Sequence, residues 1–372
     1  MKTFVKLSLT LLFVYTIAAN VVSNVAADEP VAKTIKAIEL GDGMEHPDGM
    51  TIHPKTGDII LAVPLIGKKG NAWLLRITAD DTVEKYFELP AHPETGRVTP
   101  LGIAFGPDGN LYVSDSQCLG GNPNHKSRIL RVVHDKSGKP LRCETVVTGI
   151  VQANGLEISG WNIYVAETQV DPSIVEMPMT SGVFVFPINE LSSRRPLRVQ
   201  PYQKDPRFIF NFTTTDAARN GEQKVGANGI GLSNDGSKLY VANFGDKKLI
   251  EVTLGRGGRT VRSSRDCNTG SDSAVESIDG LKVCPKGMVF FADYVGNAVH
   301  VMNPQNGKSI TLAKNALNPN AEQKKAGALD RCSEVCLRGS KLYVSNIDLE
   351  TPESPHTITV LDLEGVDWEK LK

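Results

Sequence analysis

The chain has 372 residues, of which 40% are hydrophobic and 22% charged. This is ordinary globular usage, and it excludes a largely disordered, collagenous or coiled-coil protein. Basic residues number 41 and acidic residues 42, giving a formal net charge of -1. Because the chain also lacks a dense basic run, nucleic acid is not an expected partner.

The N-terminal segment has the pattern of a secretory signal. Two lysines precede an apolar run over residues 7–19, and small residues at 25–27 offer a cleavage site. The run is shorter than the ~20 residues that span a bilayer, and no later segment is long enough. We therefore expect a signal peptide at residues 1–27 and a single domain over residues 28–372. This domain would be a monomer without a membrane span, either secreted or periplasmic.

Six cysteines follow this segment, an even number in a protein bound for an oxidising compartment. None belongs to a Cys-x-x-Cys motif or has a histidine at zinc-finger spacing, so disulfides or buried thiols are favoured over a metal site. Connectivity cannot be read from the sequence. Two bridges are predicted from the positions in the repeats described below, Cys118 with Cys143 and Cys267 with Cys332.

An internal repeat fills the chain after its first 47 residues. Each copy opens with a short alternating segment, passes through a turn such as Pro107-Asp108-Gly109-Asn110, and continues into a β-branched or aromatic strand. The copies open at Asp48, Leu101, Asn154, Asn228, Asp279 and Ser333, with separations of 53, 53, 74, 51 and 54 residues.

Further strand-like stretches follow within each copy, for example at residues 128–133 and 142–147, which makes four strands per repeat. This arrangement predicts an all-β fold, a six-bladed β-propeller. Two stacked sandwiches would not explain the regular spacing. The last repeat lacks one outer strand, and residues 32–40 have strand character without a blade of their own. We expect this N-terminal strand to join the last blade and close the ring.

The first strand of each blade lines the channel of a propeller, so the opening residues should meet at one end of it. Two carboxylates, Asp48 and Asp279, and two carboxamides, Asn154 and Asn228, would converge there. Hard oxygen ligands of this kind suit Ca²⁺ and, less well, Mg²⁺. The alternative is that these Asn-Gly and Asp-Gly pairs are turn residues, but their recurrence at one register in four blades favours a metal.

These motifs resemble those of the gluconolactonase and senescence-marker-protein (regucalcin) family of calcium propellers. The resemblance rests on Asn-Gly-Leu-x-Ile-Ser at 154, Asn-Gly-Ile-x-Leu-Ser at 228 and Asp-Gly-Leu-x-Val at 279, each leading into a second strand such as Leu-Tyr-Val-Ala, and it covers residues 40–365. NHL-repeat and strictosidine-synthase-like propellers share the strand pattern.

The resemblance implies one Ca²⁺ held by Asp48, Asn154, Asn228 and Asp279, with Asp279 also activating water or attacking the substrate. The family usually has a glutamate motif in blade one, which Glu45 matches. Asp48 is preferred because it keeps the apolar alternation in step with the other blades.

On that resemblance the protein is a secreted Ca²⁺-dependent hydrolase of small lactones or related esters, in which the metal polarises the carbonyl. Second strands end on the metal face, so Glu167 and Asn243 are predicted substrate contacts. His46, beside the channel, is a third, although a solvated loop histidine is the alternative. A non-catalytic propeller that binds a ligand or protein, and a metal-free strictosidine-synthase-like activity, remain alternatives.

The spacing between Asn154 and Asn228 exceeds the others by roughly twenty residues. Part of the surplus is the loop at residues 168–180, which starts on the metal face, as does the loop at residues 117–126 one blade away. Because binding diversity usually lies in loops on a rigid scaffold, we predict that both border a substrate pocket.

Overall fold

The computed structural model describes residues 30–119, 125–171, 178–215, 225–268, 270, 274–349 and 353–372. In these ranges the protein forms six sheets, one short helix, α1 (Ala321–Lys325), and two 3-10 turns. The expected signal peptide lies outside the described residues, and the domain boundary at residue 28 stays a prediction. Among the described residues, none of the helical segments could span a bilayer.

Each sheet is one blade, and the first strands of consecutive blades contact one another around a closed ring. The predicted six-bladed propeller is therefore confirmed. Blades one to three contain β2 (Met50–Ile52), β3 (Ile59–Val63), β4 (Ala72–Ile77), β5 (Val83–Leu89); β6 (Pro100–Phe105), β7 (Leu111–Asp115), β8 (Ser127–His134), β9 (Pro140–Ile150); and β10 (Ala153–Ser159), β11 (Asn162–Glu167), β12 (Met179–Pro187), β14 (Phe208–Thr214). Blades four to six contain β15 (Ala227–Leu232), β16 (Lys238–Asn243), β17 (Lys248–Leu254), β18 (Val261–Asp266); β19 (Leu281–Val283), β20 (Val289–Asp293), β21 (Ala298–Met302), β22 (Ser309–Lys314); and β23 (Cys332–Arg338), β24 (Lys341–Asn346), β25 (Thr357–Asp362), β1 (Lys33–Glu39).

The hydrophobic core lies between neighbouring blades. The second strands β3, β7 and β20 are buried along their whole length because a blade covers each of their faces. One apolar cluster, for example, joins Ile59 and Leu61 of blade one to Tyr343 and Val360 of blade six. Since each fully buried Leu, Ile or Val contributes about 1.5–3 kcal/mol, these contacts hold the blades together and leave the axis to glycine and polar residues.

The ring is closed by the N-terminal strand. β1 pairs antiparallel with β25, with Lys33 opposite Asp362 and Glu39 opposite Thr357. This confirms the outer strand predicted for residues 32–40. A second tie follows at His46, whose Nδ1 lies 2.9 Å from the backbone oxygen of Ile347 in blade six.

Blade two carries a fifth strand that the sequence did not predict. After β12 the chain leaves blade three, and β13 (Leu197–Arg198) pairs in parallel with Val147 and Thr148 of β9. Part of the extra length of the third repeat therefore forms β13, which links blades two and three at their outer edge. The remainder of the surplus includes residues 168–178, between β11 and β12; the predicted loop reaches residue 180, but β12 begins at Met179.

The predicted disulfides are wrong, since all six cysteines are free thiols. Cys143 packs in the apolar cluster between blades one and two, and the Cys332 thiol donates a hydrogen bond to the Ala298 oxygen, 2.9 Å away. Burial raises the pKa of the Cys118 thiol to about 11 and that of Cys267 to about 12. The alternative of buried, unreactive thiols is the one the structure supports.

Candidate functional site

One pocket lies on the axis, at the end of the channel where the inner strands begin, which we call the top face. Its cavity volume is about 50 Å³, room for an ion and a few waters. All six residues that open the repeats line it: Asp48, Leu101, Asn154, Asn228, Asp279 and Ser333. The structure thus brings together every residue predicted to bind metal.

Glycines allow the inner strands to approach this closely. In five of the six repeats a glycine follows the opening residue. A Cβ atom on Gly155 would lie 2.5 Å from the backbone oxygen of Asn228, and one on Gly102 would lie 2.7 Å from that of Asn154. Since real Cβ atoms do not come so near to backbone oxygens, only glycine permits this packing. The sixth repeat has Glu334 at the equivalent position.

The two asparagines present oxygen to the pocket. The Nδ2 atom of Asn154 donates to the Thr168 hydroxyl at 3.2 Å, and that hydroxyl in turn donates to the backbone oxygen of Ala227. This fixes the amide so that its Oδ1 atom is left for a ligand. Asn228 is 9% exposed, yet its side chain has no hydrogen bond to any described residue. Because Asn228 lines the pocket, its amide is open to a ligand there.

The two aspartates are difficult to ionise together. Burial raises the pKa of Asp48 to about 6, although a hydrogen bond from Ser333 opposes the shift. The pKa of Asp279 is raised well above its ordinary value by burial, then by the charges of Asp48 and Glu334. Neither carboxylate has a Lys or Arg partner among the described residues. Both would ionise readily if a cation lay between them.

A second charged layer lies in the channel beneath the pocket. The Lys282 ammonium is 3.1 Å from the Glu157 carboxylate, and Glu334 lies against Gly280, accepting the Val335 N–H at 2.9 Å. Burial raises the pKa of Glu334 to about 8, and the charge of Lys282 opposes that shift. Burial alone would lower the pKa of Lys282, but Glu157 and Glu334 raise it above its ordinary value.

Along the described part of the channel, four carboxyl groups therefore face one ammonium group. Ionising all four would leave an excess of buried negative charge, which is costly without a counter-ion. No group of three or more His, Cys, Asp or Glu side chains clusters as a metal site in the described ranges. The donor set of two carboxylates and two amide oxygens nevertheless fits a hard divalent cation, for which Ca²⁺ is the best match.

The alternative blade-one ligand points elsewhere. The Glu45 carboxylate forms an ion pair with Lys68 at 2.5 Å and does not line the pocket, whereas Asp48 does. Lys68 lowers the pKa of Glu45 by this hydrogen bond. The geometry therefore places Asp48, rather than Glu45, beside the other three candidate ligands.

The predicted substrate contacts lie behind the pocket wall rather than on it. Glu167 is 2% exposed, and its carboxylate accepts the backbone N–H groups of Val151 and Gln152. The Oδ1 atom of Asn243 accepts the Thr214 hydroxyl at 2.9 Å. Glu167 thus holds the segment that leads into Asn154. Direct contact of either residue with substrate stays a prediction.

Equivalent ties recur in other blades. Asp115 accepts the Thr99 N–H, Asp293 accepts the Glu276 N–H, and Asn346 accepts the Asp330 N–H. His46 is 6% exposed, with a left-handed φ of 57°, and is tied to blade six instead of lying free in a loop. It does not line the pocket, and its contact with substrate also stays a prediction.

Apolar side chains above the axial residues form a wall that sequence reasoning missed. Phe244, Tyr294 and Ile347 each directly follow the last residue of a second strand, and all three line the pocket. They pack together in one apolar cluster that includes Leu349. The sequence signal that could have found them is their shared place in the repeat, directly after the polar residue that ends each second strand.

The two predicted pocket loops are described in part. Leu119, from the loop at residues 117–126, lines the pocket. Residues 120–124 and 172–177 lie outside the described residues. A role of both loops in substrate binding stays a prediction.

Comparison of the sequence with known families gives one relevant match. Residues 201–318, which include Asn228 and Asp279, match the family described as the SMP-30/Gluconolactonase/LRE-like region. No curated protein sequence matches the chain.

Solved propellers superimpose over most of the chain at low sequence identity. The PQQ-bound aldose sugar dehydrogenase from Streptomyces coelicolor covers 89% of this chain and 97% of its own (TM-score 0.56, 15% identity). The gluconolactonase XC5397 from Xanthomonas campestris covers 90% and 95% (0.54, 13%). The calcium-binding protein regucalcin from Agrobacterium tumefaciens covers 90% and 97% (0.54, 12%). Identities this low show the fold alone. Together with the match at residues 201–318, these likenesses confirm the resemblance to gluconolactonase and regucalcin propellers predicted from the sequence.

Proposed function

We propose that the protein is a Ca²⁺-dependent hydrolase of small lactones or related esters, acting as a secreted or periplasmic monomer. The observation that carries the proposal is the convergence of Asp48, Asn154, Asn228 and Asp279 in one axial pocket. The excess of buried carboxyl groups supports a divalent cation there. The likeness to a gluconolactonase and to a calcium-binding regucalcin supports the class of reaction and the metal.

In this proposal the two aspartates and the two asparagine oxygens hold the ion. When bound, Ca²⁺ supplies a Lewis acid for the carbonyl oxygen of the substrate. Asp279 takes a proton from the attacking water or attacks the carbonyl itself, a role suited to a carboxylate in an apolar setting. Phe244 and Ile347 contact the carbon skeleton of the substrate and exclude bulk water from the reacting bond.

The first test measures calcium-linked stability. Calcium at 100 times its dissociation constant stabilises a native protein by about 2.7 kcal/mol, so it should raise the Tm of the wild type. Asp48→Asn and Asp279→Asn should lose most of that shift. Glu45→Gln is the matched control, and it should retain the shift because Glu45 faces Lys68. A wild-type Tm that chelator leaves unchanged would contradict the metal site.

The second test separates the functions. A panel of lactones and esters should be hydrolysed by the wild type, and chelator should abolish the activity. Calcium-linked stability without hydrolysis across the panel would favour a binding propeller. Activity that persists in chelator would contradict a metal-dependent hydrolase.

A further inference from the structure

A second cavity lies between blades three and four, on the face opposite the axial pocket. Its volume is about 650 Å³, within the usual range for small-molecule sites. Three turns border it: the hairpin turn of β10 and β11, the hairpin turn of β15 and β16, and the turn between β17 and β18. All three lie on this bottom face because the inner strands begin at the top.

The cavity is held in shape by contacts between the two blades. Asn162 Nδ2 donates to the Gly257 oxygen, and the Tyr164 hydroxyl donates to the Gly258 oxygen, each at 2.8 Å. A Cβ atom on Gly258 would collide with the Tyr164 hydroxyl, so the docked turn requires glycine there. The wall of the cavity is therefore formed before any ligand arrives, which reduces the entropic cost of binding.

An aromatic side chain is exposed at this cavity. Trp161 is 54% exposed, although indole is normally among the more buried groups. It occupies the second position of a two-residue hairpin turn whose first residue, Gly160, has a φ of 55°. Its backbone oxygen accepts the Ile188 N–H at 2.8 Å, so the turn is fixed while the ring faces solvent.

Three arginines surround the same cavity. Arg259 pairs with Glu190 at 3.2 Å and also donates to Asn162. Within the described chain, the side chains of Arg256 and Arg262 have neither an ion pair nor a hydrogen bond to another residue. The lining includes one acid, Asp235, whose pKa is lowered to about 2 by hydrogen bonds from Ser233 and Ser237. Two guanidinium groups are therefore available to a ligand.

We propose that this cavity binds an acidic saccharide, a sugar carrying carboxylate or sulfate groups. Guanidinium groups bind such anions through paired hydrogen bonds. The face of Trp161 offers an apolar surface for the C–H face of a sugar ring. The Asp235 carboxylate and the Ser237 hydroxyl oxygen can accept hydrogen bonds from its hydroxyls. The site lies away from the axial pocket and does not depend on the proposed hydrolase activity.

The test uses the full chain and three trisaccharide probes: a galacturonate, its neutral galactose counterpart and a sulfated analogue. Binding is measured by calorimetry and by tryptophan fluorescence, and the change that is lost in Trp161→Ala is the one assigned to Trp161. We expect saturable binding of one or both acidic probes and none of the neutral one, and the two acidic arms identify the anion recognised. Arg256→Gln/Arg262→Gln and, separately, Trp161→Ala should each weaken binding about tenfold, or about 1.4 kcal/mol.

The matched control is Arg194→Gln/Arg195→Gln, which removes two exposed arginines that do not line the cavity. It should leave the affinity unchanged, and an unaltered Tm for all variants shows that they fold. If the control weakened binding equally, the loss of affinity in Arg256→Gln/Arg262→Gln would reflect only the general positive charge of the protein, and the proposal would be overturned. Full binding by Trp161→Ala, binding of the neutral probe, or no binding of either acidic probe would also overturn it.

Discussion

The inner strands of blades one to five reach the axis differently from the inner strand of blade six. In the first five a glycine follows the opening residue, and the backbone of the next blade lies directly against it. In blade six that position holds Glu334, whose carboxylate enters the channel beside Gly280. Backbone contacts thus set the size of the ring in five blades, while the sixth supplies charge. The one repeat that departs from the glycine pattern therefore marks a place where a charged side chain replaces a close backbone contact.

The largest effect on stability is expected when the ammonium group near Glu334, that of Lys282, is removed. Lys282→Met would leave the Glu157 carboxylate, 3.1 Å away, without its counter-ion. Removal of one partner of a buried pair costs about 3–5 kcal/mol, and partial access to water places the expected loss near the lower value. Chemical denaturation at neutral pH measures it. Lys314→Met, at an exposed site on β22, is the control, and an equal loss there would contradict a buried network.

Placing alanine at the same repeat position in two blades compares them directly. Gly155→Ala would press a methyl group against the Asn228 oxygen, and we expect the free energy of unfolding to fall by about 2 kcal/mol. Glu334→Ala introduces no new atom, since a Cβ is already present there. Equal losses in the two variants, measured by denaturation, would contradict the proposed backbone packing in blade three.

The charge in blade six should also be visible in the pH dependence of stability. Burial raises the pKa of Glu334 to about 8 from an ordinary 4.5, so the native state binds this proton more tightly than the unfolded chain. Stability of the wild type in chelator should therefore fall between about pH 5 and pH 8. Glu334→Gln should lack this contribution and gain about 1–2 kcal/mol over wild type by pH 8. If the pH profiles of stability of wild type and Glu334→Gln ran parallel, titration of Glu334 would not contribute to the pH dependence.

The smallest expected effect concerns the orientation of an opening residue in a glycine-containing blade. Thr168→Val removes the hydroxyl that accepts the Asn154 amide hydrogen and donates to the Ala227 oxygen. Stability without metal should fall by about 1 kcal/mol. Calcium affinity, measured by titration, should weaken about fivefold because Asn154 is no longer fixed. Unchanged affinity would show that the amide does not need this hydrogen bond.

Blade number, the axial ring and ring closure could be predicted from the sequence because all three follow from the repeat. Residues at one register of equivalent strands must meet on the axis, so the positions of Asp48, Asn154, Asn228 and Asp279 follow from spacing alone. The last repeat lacks one strand, which predicts that residues 32–40 join blade six, and β1 does occupy that place.

Other parts could not be predicted, for physical reasons. A polar residue at a strand end gives the same signal whether it faces a ligand or backbone N–H groups, as Glu167 does. Phe244 and Ile347 share one place in the repeat, but the equivalent residues after β7 and β11 are Ser116 and Thr168, so the repeat alone does not mark an apolar wall. β13 is two residues long and pairs with a neighbouring blade, so no local propensity marks it.

The closing strand has a consequence for biosynthesis. Roughly 320 residues separate Glu39 from its partner Thr357, so among the described strands β1 leaves the ribosome first and its partner β25 leaves last. At about 5–20 residues per second, it waits some 16–60 s as an unpaired edge. Its sequence, Lys-Thr-Ile-Lys-Ala-Ile-Glu, places charged side chains at three of seven positions. Charges of this kind discourage pairing with other nascent chains, so the strand that completes the ring is also protected during translation.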